Sequence, residues 1–259
     1  MADVALADRI AEIAAEAGAL AMGQWRTDFE RWEKSPGNPV CAVDLEVDAL
    51  LRDRLSALDP GAGWLSEETA DNADRLALER LWVVDPIDGT RDYIRGRPGW
   101  AVSIALIEHG VPVIGVLDAP ARGEVWRAAR GKGATRNGVR LRAGGRADFP
   151  GARVPTDALP KVDHDLVAVD KPNSIALRIA MVAADEADLV ATVRWGYEWD
   201  IAAAVLIAGE AGATVTDAFG QPLAFNTQNA QAFGVLATVP GIHAAARDRL
   251  RARAEAARG

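Results

Sequence analysis

Near the start of the chain Leu6, Ile10, Ile13, Ala17 and Leu20 recur close to helical spacing. They describe one face of a helix that Asp3 is placed to cap. Ser35-Pro36-Gly37-Asn38-Pro39 then breaks the chain into a loop. A second helix is predicted over Asp44 to Leu58, with Leu45, Leu50, Leu51 and Leu55 available to face inward, and Asp59-Pro60-Gly61 stops it. Trp64-Leu65 leads into the acidic pair Glu67-Glu68, and Leu81 to Val84 predicts a short buried strand. From Trp100 to Arg140 the pattern is one of strands, at Ala101–Ile107, Val111–Asp118 and Glu124–Ala129. His109-Gly110 and Arg122-Gly123 mark their turns, and Asn137-Gly138 predicts a further tight hairpin.

Ala143 to Asp165 shows little periodicity, which places a boundary near residue 150. Beyond it the elements alternate. Strands are expected at Asp165–Val169, Leu189–Val193 and Gly234–Thr238, and helices at Ser174–Val182, Asp200–Ala211 and Ile242–Arg258. The expected class is therefore α/β: an α+β half over residues 1–150 with an antiparallel sheet, then an α/β half over 151–259.

Composition narrows the function. Hydrophobic residues make up 49% and charged residues 25%, enough apolar material for a sizeable core. A net charge of −8 argues against a nucleic-acid polymer as partner but leaves room for a small phosphorylated ligand at a local cationic site. The single cysteine, Cys41, excludes an internal disulfide and a thiolate zinc cluster, and His109, His164 and His243 are scattered. Asp3 and Asp8 with no preceding basic run do not read as a secretory signal. The apolar stretch Ala101–Leu117 is interrupted by Glu108, His109 and Gly110, short of the roughly 20 residues that span a bilayer. The expectation is a cytoplasmic protein that does not engage a membrane.

The segment Trp82-Val83-Val84-Asp85-Pro86-Ile87-Asp88-Gly89-Thr90 carries the chemistry. An apolar strand runs directly into a carboxylate, Pro86 fixes its own φ, and a second carboxylate follows three residues on. Strand ends of α/β folds are where such proteins place their sites. Two carboxylates held together raise each other's pKa unless a cation compensates, and all-oxygen ligands select Mg²⁺, Mn²⁺ or Ca²⁺ over zinc. Gly89 and Thr90 could offer backbone N–H groups to an anion if a helical turn starts at Thr90. The plainer explanation is a capped turn with solvated aspartates. Asp44 and Asp200 each have an equally plain explanation as helix-start carboxylates, and Glu67-Glu68 as solvated charge.

Three segments taken together resemble the inositol monophosphatase family: Trp64-Leu65-Ser66-Glu67-Glu68, Asp85-Pro86-Ile87-Asp88-Gly89-Thr90 and Trp199-Asp200-Ile201-Ala202-Ala203-Ala204. Asn38-Pro39-Val40-Cys41-Ala42-Val43-Asp44 is similar to an earlier family segment. The resemblance spans roughly residues 5 to 240. It implies the layered αβαβα sugar-phosphatase fold and Mg²⁺-dependent hydrolysis of a small phosphorylated metabolite, with two or three ions per active site. It implies that Glu67, Asp85 and the carbonyl of Ile87 bind one Mg²⁺, and that Asp85, Asp88 and Asp200 bind a second. Asp44 and Glu67 would hold water around a weaker third ion. Thr90 with Asp44 would orient the attacking water, and Gly89 and Thr90 N–H groups would receive the phosphate. A homodimer and lithium sensitivity are further implications.

Ser66, Cys41 and Asn38 depart from the family pattern without touching an implied metal carboxylate. Cys41 reads most simply as a small buried residue. Arg91-Asp92-Tyr93-Ile94 after Thr90, and Glu198 before Trp199-Asp200, look more like the 3′(2′),5′-bisphosphate nucleotidase branch, in which Arg91 would add charge for a second phosphate. Arg178 and Arg194 are weaker candidates. The alternatives are an inositol-1-monophosphatase or another sugar or histidinol phosphatase. A catalytically dead regulatory homologue would lack metal carboxylates, and none is missing.

Overall fold

The computed structural model describes residues 4–35 and 38–258, without the side chains of Ser35 and Asn38. The expected cap at Asp3, the Pro36-Gly37 turn and the Asn38 side chain lie outside the described residues. In chain order the elements are α1 (Val4–Gln24), β1 (Arg31–Ser35), β2 (Asn38–Cys41), α2 (Ala42–Leu58), β3 (Gly63–Ser66), β4 (Arg80–Asp88), α3 (Thr90–Ile94), β5 (Ala101–Glu108), β6 (Val111–Ala119) and β7 (Glu124–Ala129). There follow β8 (Gly133–Arg136), β9 (Val139–Arg140), β10 (Arg153–Pro155), β11 (Val167–Val169), α4 (Ile175–Ala183), β12 (Leu189–Tyr197), α5 (Ala202–Glu210), β13 (Thr214–Thr216), β14 (Gln231–Thr238) and α6 (His243–Arg258).

A seven-stranded sheet runs β3-β4-β5-β6-β7-β8-β9; only the β3–β4 pair is parallel. Its inner strands are buried on both faces, which explains the near-continuous apolar runs of β4, β5 and β6. Alternate residues sort to opposite cores. Trp82, Val84, Ile104 and Val116 pack with α1 and α2, while Leu81, Val83, Ala105 and Leu117 pack with α4 and α5. On the far side of α4 lies the antiparallel sheet β12-β14-β13, and α6 covers that sheet. The result is the mixed five-layer α-β-α-β-α stack expected from the resemblance.

One close approach holds the layers in place. A Cβ on Gly115 of β6 would come 2.5 Å from the carbonyl oxygen of Ala203, so the small residues of α5 seat directly on the sheet. The β1–β2 hairpin was not expected: three of its strand residues, Ser35, Asn38 and Pro39, fall in the segment read as a loop. Strand β3 was foreshadowed only as an apolar lead into Glu67. Among the described residues no helix is long and apolar enough to cross a membrane.

Candidate active site

Parallel pairing makes the first part of the site. Leu65 lies opposite Val83 and Ser66 opposite Val84, and the Glu67 N–H donates to the Val84 carbonyl at 3.3 Å. Glu67 and Asp85 therefore leave adjacent strands at the same end. A bulge makes the second part. Asp85 pairs with Ser103 but Asp88 with Ala101, so β4 carries one residue more than β5 across Pro86-Ile87. In an unbroken strand residues three apart face opposite sides. The extra residue turns Asp88 back, and both carboxylates line one cleft. Gly89 follows at φ 97°, where a Cβ would lie 2.7 Å from the Gly99 carbonyl oxygen, and α3 starts at Thr90.

Asp200 arrives from the other half of the chain, between β12 and α5. It does not cap α5. Ile201 occupies the N-cap position, and the Asp200 carboxylate instead accepts the Tyr197 N–H at 3.3 Å. Glu67, Asp85 and Asp200 each present a carboxylate oxygen within 4.8 Å of the others. Asp88 lines the same cleft, but its oxygens accept from Ser174 Oγ (2.5 Å), Ala176 N (2.7 Å) and Ile175 N (3.3 Å) at the start of α4. The cleft encloses about 200 Å³ and is also bordered by Gly89, Thr90, Arg91, Arg178 and Arg194.

Electrostatics show what the cluster lacks. Burial, then the charges of Glu67, Asp88 and Asp200, push Asp85 well above the usual carboxylate range. Burial, then Asp88 and Glu67, does the same to Asp200. Asp88 is raised to about 6 by burial, against the hydrogen bonds from Ser174 and Ala176. Three clustered carboxylates that repel one another, Asp85 buried and Glu67 and Asp200 half-buried, fit a hard divalent cation better than protons.

The surrounding residues hold these groups still. Asp44 is buried at the third position of α2 and accepts from Cys41 N (2.8 Å) and Cys41 Sγ (2.9 Å). Burial raises the Asp44 carboxyl to about 6 and pushes the Cys41 thiol far up, so Cys41 is an inert donor. Thr90 Oγ1 lies 3.3 Å from Asp44 Oδ1 and 3.0 Å from the Ile87 carbonyl oxygen. Lys34 of β1 reaches Glu68 Oε1 at 2.6 Å and Glu67 Oε1 at 3.3 Å, so Glu68 is a buried ion-pair partner rather than solvated charge. Asp48, one helical turn after Asp44, accepts from Ser66 Oγ and from Thr69 Oγ1 (2.7 Å) and pins the strand end that bears Glu67.

Sequence reasoning passed over Lys34, Asp48 and Ser174. A second acid at i+4 on α2 was a readable signal for Asp48. Nothing local tied Ser174 to Asp88. Glu198, taken as a mark of the nucleotidase branch, has a clamping role. It accepts from Asn226 N (2.7 Å), Thr227 N (2.8 Å) and Thr227 Oγ1 (2.6 Å), while Arg75 grips Asn226 Oδ1 (2.7 Å) and the Thr227 carbonyl (3.0 Å). Arg178 borders the cleft with its guanidinium partly spent on the carbonyls of Pro172 (2.9 Å) and Asn173.

The sequence profile described as "Inositol monophosphatase family" matches residues 4–256. The chain is 32% identical over 226 residues to the 3′(2′),5′-bisphosphate nucleotidase CysQ of Escherichia coli K12, covering 83% of this chain and 92% of that protein. It is 34% identical over 200 residues to the Nus factor SuhB of Xylella fastidiosa, covering 71% of each. The solved IMPase of Thermotoga maritima superposes with a TM-score of 0.83 at 28% identity, over 96% of this chain and 98% of that one.

Proposed function

The chain belongs to the inositol monophosphatase family, and from that premise we propose that its cleft is an Mg²⁺-dependent phosphomonoesterase site of the 3′(2′),5′-bisphosphate nucleotidase type. Members of the family are metal-dependent phosphomonoesterases acting on small phosphorylated substrates. The convergence of Glu67, Asp85 and Asp200 on one point carries the reading. Glu67, Asp85 and the Ile87 carbonyl would hold one cation, and Asp85, Asp88 and Asp200 a second, with Asp85 shared. A bound cation supplies charge that neutralises the phosphate, acidifies water and stabilises the departing oxygen.

The chain's own groups do the positioning. Thr90 Oγ1 has one proton and two neighbouring acceptors, Asp44 Oδ1 and the Ile87 carbonyl. Its lone pairs are left to orient an incoming water, with Asp44 beside it. The start of α4 holds Asp88 through Ser174 and two backbone N–H groups, so that this carboxylate keeps one geometry. Gly89, Thr90 and Arg91 border the place of the phosphate, and Arg178 and Arg194 add positive charge at the rim.

Arg91 on the cleft wall and the similarity to CysQ favour a bisphosphorylated nucleotide. The clamping role of Glu198 removes one argument for that branch and favours, as second reading, an inositol, sugar or histidinol phosphatase. Phosphate release from 3′-phosphoadenosine 5′-phosphate, inositol 1-phosphate, fructose 1,6-bisphosphate and histidinol phosphate tests the choice. The nucleotide should exceed the others about tenfold or more in kcat/KM, and EDTA should abolish turnover of all four. Comparable rates on the four would remove the nucleotidase assignment; turnover in metal-free protein would remove the mechanism.

A further inference from the structure

The carboxylate cluster is assembled from two parts of the chain, and its acids are held in different ways. Asp88 is held by its own carboxylate, which accepts from Ser174 Oγ, Ala176 N and Ile175 N. Among the described residues the Asp200 carboxylate accepts only the Tyr197 N–H, at 3.3 Å. Two residues before it, Glu198 is fully buried. The Glu198 N–H donates to the Ala230 carbonyl at 2.9 Å, and the Glu198 carbonyl accepts from Ile201 N (3.2 Å) and Ala202 N (2.9 Å) at the start of α5. The backbone that carries Asp200 is therefore a turn anchored at Glu198, and the direction of the Asp200 carboxylate follows from that turn.

The Glu198 carboxylate ties this turn to a loop, and an arginine ties the loop to the other sheet. Glu198 takes both N–H groups and the hydroxyl of Asn226-Thr227. Asn226 (φ 58°) and Ala230 (φ 52°) lie in the left-handed region, which alanine has no side chain to favour. Such strain persists where the surroundings over-determine the backbone. Arg75 sits in a short helical turn, Ala73–Ala77, between β3 and β4, the strands that deliver Glu67 and Asp85. Its side chain is buried and pinned by Asp71 Oδ1 (2.7 Å) and Oδ2 (2.8 Å). From there it donates to Asn226 Oδ1 (2.7 Å) and the Thr227 carbonyl (3.0 Å), and Asn226 Nδ2 donates back to the Arg75 carbonyl at 3.1 Å. A Cβ on Gly63, the first residue of β3, would lie 3.4 Å from Arg75 Cβ, so the arginine also rests on the strand that leads to Glu67.

We infer that Arg75 and Glu198 are positioning residues for the cation: through Asn226-Thr227 they fix Asp200, from the second half of the chain, against Glu67 and Asp85 of the seven-stranded sheet. The inference rests on the metal-dependent reading of the cleft and assigns to this bridge the setting of cation affinity. Neither side chain borders the cleft, so both act through the acids they place. Removing a group that orients a metal ligand typically weakens the metal by roughly 10–100-fold. The competing role is a joint that only holds two halves together. The two roles separate in what a substitution does to cation binding by protein that is still folded.

The test is Mg²⁺ binding to the whole protein by titration calorimetry, with phosphate release at varied Mg²⁺ beside it. Glu198→Gln leaves donors of the loop unpaired, and Arg75→Met cuts the loop from β3. Each should raise the Mg²⁺ dissociation constant about tenfold. The Mg²⁺ concentration for half-maximal rate should rise by the same factor, with kcat at saturating Mg²⁺ within about threefold of wild type. The double variant should be about as weak as either single one, since the two residues act as one bridge; a product near a hundredfold would overturn the bridge. Asp188→Ala, which breaks a buried ion pair with Arg146 and Arg153 outside the cleft, should destabilise the protein with its Mg²⁺ constant unchanged. Thr227→Val deletes a single hydroxyl contact to Glu198, should weaken Mg²⁺ about threefold, and decides the matter if the larger changes do not fold. Unchanged constants in the folded variants, or an equal loss in Asp188→Ala, overturn the inference. A wild type that binds Mg²⁺ but releases no phosphate fails the phosphatase reading alone, and one that binds no divalent cation fails both.

Discussion

Asp85 and Asp188 are almost equally buried, at 2% and 1% exposure, yet their surroundings drive them in opposite directions. Asp188 is ringed by arginine: Arg146 Nε at 3.0 Å, Arg153 Nε at 2.9 Å, Arg153 Nη2 at 2.7 Å and the Arg153 N–H at 2.9 Å. Burial pushes its carboxyl up, but the hydrogen bonds and charge of Arg153, with Arg146, more than reverse this and hold it below the usual range. Asp85 has Glu67, Asp88 and Asp200 as neighbours, and burial and repulsion act together. A buried acid with its cation built in is a structural joint. A buried acid among acids has no such partner within the fold and is raised instead, which is the environment that a cation from outside would relieve.

The largest effect should come from removing one acid of the cluster. Asp200→Asn should lower kcat/KM about a thousandfold or more while the melting temperature stays level or rises, because repulsion is relieved. Asp88→Asn should do the same to activity, and the double variant should lose little more than either single change. Near-normal turnover of Asp200→Asn at limiting Mg²⁺, measured as phosphate release, would break the comparison at its functional end. The opposite outcome is expected at the other end. Asp188→Ala takes the shared acceptor from Arg146 and Arg153, which keep about a third of their side chains in solvent and, at Arg153, the Asp185 partner, and should cost about 1–3 kcal/mol of stability by denaturant unfolding. Turnover per folded molecule should stay close to wild type, since Asp188 lies outside the cleft.

A divalent cation should sharpen the contrast further. Mg²⁺ at about a hundred times its dissociation constant should stabilise the wild type by roughly 2.7 kcal/mol. Asp85→Asn should lose most of this shift, whereas Asp188→Ala should keep it on a lower baseline; differential scanning fluorimetry reads both. Equal shifts in the three proteins would place the cation elsewhere.

Asp118 is the intermediate case and carries the smallest predicted effect. It lies buried under Gly18 of α1 with no ion pair among the described residues, and burial raises its carboxyl to about 7. A folded pKa above the unfolded value near 3.8 means that the native state keeps a proton the unfolded chain releases. The protein therefore loses stability as pH rises from about 4 to about 7, and the penalty is constant above that. Asp118→Asn should gain about 1–3 kcal/mol at pH 8 and little at pH 4, read as the difference in unfolding free energy at the two pH values. An equal gain at both would assign the effect to shape instead of charge.

Local pattern by itself determined much of this protein. The apolar runs of β4, β5 and β6 and the periodic face of α1 announced the core, because periodicity and turn chemistry are properties of consecutive residues. Asp85-Pro86-Ile87-Asp88-Gly89-Thr90 at the end of a buried run announced chemistry for the same reason. On α2 the expected inward face held at Leu51 and Leu55 but not at Leu45, which is 42% exposed, because the helix turns Val43 and Val47 to the sheet along with Asp44 and Asp48. What three dimensions decided were the relations between segments far apart in the chain. Parallel pairing of β3 with β4 put Glu67 beside Asp85, and a bulge with no local signature turned Asp88 toward its neighbour. The second sheet carried Asp200 in from 112 residues beyond Asp88 (200 − 88), to a position where it makes no helix cap. Glu198, two residues earlier, went to a clamp on the loop at Asn226-Thr227. The two acids share a sequence neighbourhood and a residue class. Only the burial and partners supplied by the rest of the fold separate a carboxylate that is already satisfied from one left among other carboxylates, where a cation would be favoured.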